Sequence, residues 1–197
     1  MKVLIACEYS GTVRDEFIKL GHDAISCDLL PSDKLGPHYQ GDIFDIIGGG
    51  YDLMIAHPPC TYLCNSGVSW LYKDVNRKEK MVYGAKFFKK LLESNIPRIC
   101  IENPIMHKYA KEIIGENYTQ LIQPYMFGHT ESKATCLWLK NLPNLKETQN
   151  VKDEWKKLPK NQAQRLHYLP PSKDRWKLRS TTFKGIAEAM AQQWGSL

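Results

Sequence analysis

The sequence predicts an α/β fold: a mostly parallel sheet with helices on its faces, Rossmann-like in its connections. Three observations lead there. Short apolar runs alternate with stretches of helical periodicity over the first two-thirds of the chain. Polar and special residues collect directly after four of those runs, at Glu8–Gly11, Asp28, His57–Cys60 and Glu102–Pro104, and ligands bind at the carboxyl ends of strands in such sheets. The 197 residues fit one domain with a sizeable core.

Each element follows from its own residues. Lys2–Ala6 is an apolar run suited to a buried strand, and Gly11-Thr12 then opens a helical pattern, Val13–Leu20, closed by Gly21. Ala24–Cys27 is a second strand ending at Asp28, and Ile43–Ile47 is a short helix stopped by Gly48-Gly49-Gly50. Leu53–Ala56 is a strand broken by His57-Pro58-Pro59, and Lys78–Glu93 is a long amphipathic helix leading to a strand at Arg98–Ile101. Tyr109–Ile114 reads as helix, Tyr118–Gln123 and Thr135–Leu139 as late strands, and Phe183–Trp194 as an alanine-rich closing helix. Pro143–Ser172 is the least regular stretch, because Pro159 and Pro170-Pro171 oppose long elements.

Apolar runs such as Met54–Ala56 and Ile99–Ile101 are far too short to cross a bilayer. Met1–Ala6 passes straight into a strand pattern without a signal-peptide layout, so a cytoplasmic protein is expected. The six cysteines form no CxxC pair and no disulfide-scaffold spacing, which fits a reduced compartment. No Cys/His cluster has the short spacings of a zinc site, so no metal is expected.

The +6 net charge is concentrated. Asn150–Arg179 holds six Lys and three Arg against three acids, a surplus equal to that of the whole chain. Trp155, Tyr168 and Trp176 are interleaved with these cations. Basic residues mixed with aromatics suit a phosphate backbone and unstacked bases. The alternative is a solvated surface loop.

Cys60 follows two prolines at a strand end, where a stiffened backbone presents a thiol that a lowered pKa or a partner base would make nucleophilic. A lone Cys is more often a buried structural residue. Glu102, an acid at another strand end, is costly to bury without a partner, and a thiolate beside a carboxyl matches addition to a pyrimidine ring followed by ring protonation.

The ordered series Glu8-Tyr9-Ser10-Gly11-Thr12, Asp28, Gly41-Asp42-Ile43, Pro58-Pro59-Cys60, Glu102-Asn103-Pro104 resembles the motifs of the DNA cytosine-C5 methyltransferases. The strand Tyr51–Ala56 leading into His57-Pro58-Pro59-Cys60 and the later Asn65-Ser66-Gly67 are similar as well, and the likeness covers residues 1–139 in order, resuming in the closing helix. It implies the S-adenosylmethionine-dependent methyltransferase form of the Rossmann-like sheet. Cys60 would add to C6 of cytosine, Glu102 would hold and protonate N3, and C5 would take the methyl group before loss of the C5 proton expels Cys60. A base within a duplex must first be flipped out.

The resemblance further implies cofactor contacts at Glu8, Tyr9, Ser10, Gly11, Asp28, Asp42 and Pro58, with Asp28 on the ribose hydroxyls and Asp42 near the adenine. Pro59, Asn103, Lys133, Thr135, Arg165 and Arg175 would contact the substrate, and Lys133 would also join the catalytic group. Each Asp or Gly in this set has an ordinary reading as a turn former. Cys64 reads as a neighbour of Cys60 without catalytic duty, and His57 as a hydrogen-bonded structural residue.

Three departures from the family pattern matter. The first motif, usually Asp-x-Phe-Ala-Gly-x-Gly-Gly, is Cys7-Glu8-Tyr9-Ser10-Gly11 here. The Gln-x-Arg-x-Arg motif is matched by Glu131-Ser132-Lys133-Ala134-Thr135, where Lys lacks the fork of Arg. Only about residues 142–178 remain for target recognition, a loop-rich insertion in place of a domain. Selectivity is then short, absent or supplied by a protein partner, as in a phage enzyme. The readings left beside methylation of DNA are modification of RNA or a free pyrimidine nucleotide, and a non-catalytic nucleic-acid-binding relative.

Overall fold

The computed structural model describes the backbone of residues 1–197 and every side chain except that of Val75. The strands are β1 (Lys2–Ala6), β2 (Asp23–Asp28), β3 (His38–Gln40), β4 (Leu53–Ala56), β5 (Arg98–Pro104), β6 (Gln120–Ile122) and β7 (Thr135–Lys140). They form one sheet in the order β3-β2-β1-β4-β5-β7-β6, parallel throughout except for β7, which runs antiparallel to both neighbours. The Rossmann-like α/β architecture expected from the sequence is therefore present.

Alternation along the central strands builds two cores. Val3 and Ile5 of β1, with Leu53 and Ile55 of β4, face α1 (Thr12–Lys19) and α9 (Lys184–Trp194), where Phe17, Met190 and Trp194 are buried. Leu4, Ala6, Met54 and Ala56 face α3 (Val75–Leu92) and α4 (Lys108–Ile114), around Phe88 and the buried Trp138. Among the described residues no helix is long and apolar enough to cross a membrane.

The remaining helices are α2 (Ile43–Ile46), α5 (Lys152–Lys157), α6 (Lys160–Ala163), α7 (Arg165–Tyr168) and α8 (Arg175–Ser180). The irregular stretch is thus a chain of helical turns, each too short to be read from periodicity. Three other differences have local causes. β3 is held by a side chain, His38, whose Nε2–H donates to the Leu30 carbonyl while Nδ1 accepts from Ser26, both at 2.9 Å. α3 starts earlier than its periodicity suggests because Asp74 caps it, accepting from the Asn76 amide at 3.0 Å. β5 runs on through Glu102-Asn103-Pro104 because β7 continues to pair with it after β4 has ended at Ala56. The open edge beyond Ile101 is where a sheet tolerates proline.

Candidate active site

The chain leaves β1 and β4, neighbours in the sheet, toward opposite faces, α1 packing on one side and α3 on the other. Their carboxyl ends flank a crevice of the kind that holds ligands in open α/β sheets. A cleft of about 770 Å³ lies there. It is lined by Glu8, Tyr9 and Ser10 after β1, Asp28 at the end of β2, His57–Cys60 after β4, Glu102 and Asn103 on β5, and Lys133 before β7. A smaller pocket of about 480 Å³ beside Phe44 and Lys90 contains none of the predicted residues.

At the first strand end Cys7 takes a left-handed backbone (φ 57°) and Gly11 another (φ 65°). A Cβ at Gly11 would lie 2.5 Å from an Arg14 nitrogen, so glycine is required there on two counts. Arg14 is fully buried and staples the following loop to the sheet, donating to the Leu35 carbonyl at 3.1 Å and to Ser26 and Ser32 at 3.2 Å. The Glu8 carboxylate, also buried, accepts from the Val13 amide at 2.7 Å, the Arg14 amide at 3.3 Å and the Ser10 hydroxyl at 3.1 Å. It therefore fills the anion site at the start of α1. Glu8 lines the cleft with its hydrogen-bonding capacity turned inward.

Asp28 is half-buried, accepts from the Leu30 amide at 2.9 Å, and burial pushes its carboxyl above the ordinary range. Tyr9 reaches across to the basic segment, its hydroxyl 3.0 Å from Ser180 Oγ and its ring 5.5 Å from that of Trp176. Lys177 completes the closure with a bond to Asp33 at 3.1 Å. In this way α8 lies across the mouth of the cleft, and Trp176, Arg179 and Thr181 join its lining.

Cys60 begins a turn in which its carbonyl accepts from the Leu63 amide at 3.0 Å and the Cys64 amide at 3.1 Å. Cys64 is thereby brought one turn from Cys60 in the same wall. The hydrogen bond to Cys64, and then burial, push the Cys60 thiol far above its ordinary value; Cys64 and Glu102 add to this, and Lys133 opposes it. Cys64 is brought down to about 5, first by the bond from Cys60, with Ser66 and the Gly67 amide also donating.

Glu102 is largely enclosed. Burial alone would raise its carboxyl, but the hydrogen bond from His57 and the charge of Lys133 hold it below the ordinary value. Asn103, buried, donates to the Pro58 carbonyl at 3.3 Å and so ties β5 to the loop bearing Pro59 and Cys60. The Lys133 loop is fixed by Gln123, which accepts from its amide at 3.0 Å. Glu131 pins α7 to the same loop, accepting from the Leu166 amide at 3.3 Å.

Five predicted residues stand elsewhere. Gly11 lies behind the first strand-end turn, against Arg14. Asp42 caps α2, accepting from the Phe44 amide at 3.0 Å. Thr135 is buried and donates to the Lys133 carbonyl at 3.0 Å, so it shapes the loop from behind. Arg165 is exposed beyond the cleft lining, and Arg175 spends its guanidinium on the Leu169 and His167 carbonyls at 2.9 and 3.4 Å. Lining residues not among the predicted contacts include Trp70, Arg77, Trp176 and Arg179, and Cys64 and His57 join them. The i, i+4 spacing of Cys60 and Cys64 was a usable signal; the docking of α8 had none. Among the described residues no group of three or more His, Cys, Asp or Glu side chains could hold a metal ion.

No family model and no curated protein matches the chain. Solved structures with some likeness include a DNA modification methyltransferase encoded within an E. coli prophage (15% identity, 81% of this chain, 56% of that one, TM-score 0.46). Others are the Entamoeba histolytica methyltransferase EhMeth (18%, 77% and 57%, 0.48) and the S. pombe Dnmt2 methyltransferase (17%, 100% and 66%, 0.42). The chain spans less than two-thirds of the length of each, and at such scores its own site geometry has to carry any functional reading.

Proposed function

We propose that this chain is an S-adenosylmethionine-dependent methyltransferase that modifies C5 of cytosine in nucleic acid, DNA foremost, through a covalent bond from Cys60. One observation carries the reading: Cys60 and Glu102, from the ends of neighbouring strands, line the same cleft, and the charge of Lys133 acts on both. A sulfur nucleophile and a hydrogen-bonded carboxyl are the two groups needed to add to a pyrimidine at C6 and to manage the proton at N3.

The cofactor assignment rests on the cleft's other half. Asp28 keeps one carboxylate oxygen for ribose hydroxyls, and the Tyr9–Ser10 backbone and Pro58 line the path toward Cys60. On the substrate side, Asn103 Oδ1 is buried without a partner among the described residues, a polar atom suited to a bound donor group. S-adenosylmethionine, when bound, supplies an electrophilic methyl group. The protein's part is to form the C6 adduct with Cys60, hold N3 with Glu102, balance charge with Lys133 and exclude water under α8. The insertion at 142–178, docked on the Lys133 loop, takes the place of a target-recognition domain and supplies cations to the phosphate backbone.

Incubation with S-adenosylmethionine and single- or double-stranded DNA, followed by nucleoside mass spectrometry, tests this. 5-Methylcytosine made by the wild type and absent with Glu102→Gln is the expected result. Product from RNA or a free pyrimidine nucleotide alone would move the substrate, and no product from any of them would sink the proposal.

A further inference from the structure

His57 is unlike His38 and His107. His38 uses both ring nitrogens, as does His107, which accepts from the Ala110 amide at 3.2 Å and bonds the Tyr62 carbonyl at 3.0 Å. His57 uses one. Its Nδ1 lies 3.2 Å from Glu102 Oε2, the two side chains being 8% and 13% exposed. A carboxylate only accepts, so Nδ1 carries the proton and donates it. Nε2 is then the bare nitrogen, buried with no partner among the described residues, in a side chain that lines the cleft. Leaving such an atom unsatisfied costs its full desolvation, and a histidine kept only for packing has no need of it.

We propose that His57 is the positioning residue of Glu102: it orients the carboxyl and relays to it a proton taken up at Nε2. The inference rests on the reading of Glu102 as the group that protonates N3. Loading begins when a proton from cleft water binds Nε2 and makes the imidazolium. The Nδ1–H bond pair returns to the ring as that proton moves to Oε2, leaving a neutral imidazole and a carboxylic acid. As the Cys60 sulfur gives up its proton to cleft water and bonds to C6, N3 takes the proton from Glu102. When N3 gives it up at the end of the cycle, the same path runs in reverse and one proton returns to water. The other ionisable groups lining the cleft are Lys133 on the loop before β7, Cys60 and Cys64 after β4, Arg77 on α3, Cys7, Glu8 and Tyr9 after β1, Asp28 on β2, and His167 and Arg179 on the closing segment. None is bonded to Nε2.

Two variants separate orientation from relay. His57→Phe keeps a ring without a donor; His57→Gln keeps a donor that cannot relay. Thermal melts establish that each is folded. Glu102 is followed by carboxyl carbon NMR, with Glu102→Gln identifying the signal, and adduct formation is followed in single turnovers with 5-fluorocytosine DNA. His57→Phe should move the Glu102 midpoint up by about one pH unit, since a stabilising donor is lost, and His57→Gln should leave it near wild type. Both should slow adduct formation about 100-fold at pH 7.5, the lower end for a lost proton-transfer group, with the His57→Gln deficit shrinking as the pH falls.

An unchanged midpoint in His57→Phe would overturn the orienting role. A pH-independent deficit, or none, in His57→Gln would overturn the relay. Should the wild type form no Cys60 adduct while the midpoint still moves in His57→Phe, the cytosine reading fails and the relay with it, and only the His57–Glu102 pairing stands.

Discussion

The Cys60 thiol is held above its ordinary value in the cleft, and the first cause lies one turn away. Cys64 and then burial push it up, while Cys64 itself is brought down by Cys60, Ser66 and the Gly67 amide. Removing Cys64 takes away both the bond and the charge through which it holds Cys60 up, leaving burial and Glu102 against Lys133. Site-resolved alkylation with iodoacetamide should therefore label Cys64 before Cys60 at pH 6.5. Cys64→Ala should raise the rate at Cys60 about tenfold at pH 8, because the thiolate is the reactive form. Equal labelling of the two thiols in the wild type would contradict this. Glu8 gives a second residue-scale prediction. Its carboxylate is committed to α1, so Glu8→Gln should cost about 1 kcal/mol in urea unfolding, as the loss of a helix-start charge does. Affinity for S-adenosylmethionine should stay where it was. The residue types pointed to Cys60 and Glu102 directly, whereas the inward turn of Glu8 and the His57 bond exist only once three strand ends meet.

At the scale of elements, the sequence was readable where burial is continuous. β1, β4 and the first part of β5 are short runs enclosed on both faces, and the boundaries of β1 and β4 follow from apolarity and the turn residues after them. Legibility fails where side-chain bonds or tertiary docking decide. β3 depends on His38, the last three residues of β5 depend on β7, and α5 to α8 are helices of four to six residues held by tertiary packing. The same limit explains the choice of arginines. Charge counting could find the basic segment, but Arg175 folds back on its own helix pair while Trp176 and Arg179 enter the cleft, a matter of how α8 docks on Tyr9.

For the whole molecule, the decisive feature is that a basic, aromatic segment closes over a cleft built from strand ends. Nucleic-acid binding should then depend steeply on salt. Replacing exposed Lys157 and Lys160 by Gln should reduce the slope of log affinity against log salt by about 0.7 for each phosphate no longer neutralised on single strands. Binding that ignores salt, or the two lysines, would separate the segment from the substrate. The central claim is chemical, and covalent trapping tests it most directly. The protein is incubated with S-adenosylmethionine and 5-fluorocytosine DNA, single- and double-stranded, and then read by denaturing mass spectrometry. An adduct on the Cys60 peptide that disappears in Cys60→Ala is the expected result. Measurable cofactor binding with no adduct to DNA, RNA or nucleotide would contradict it.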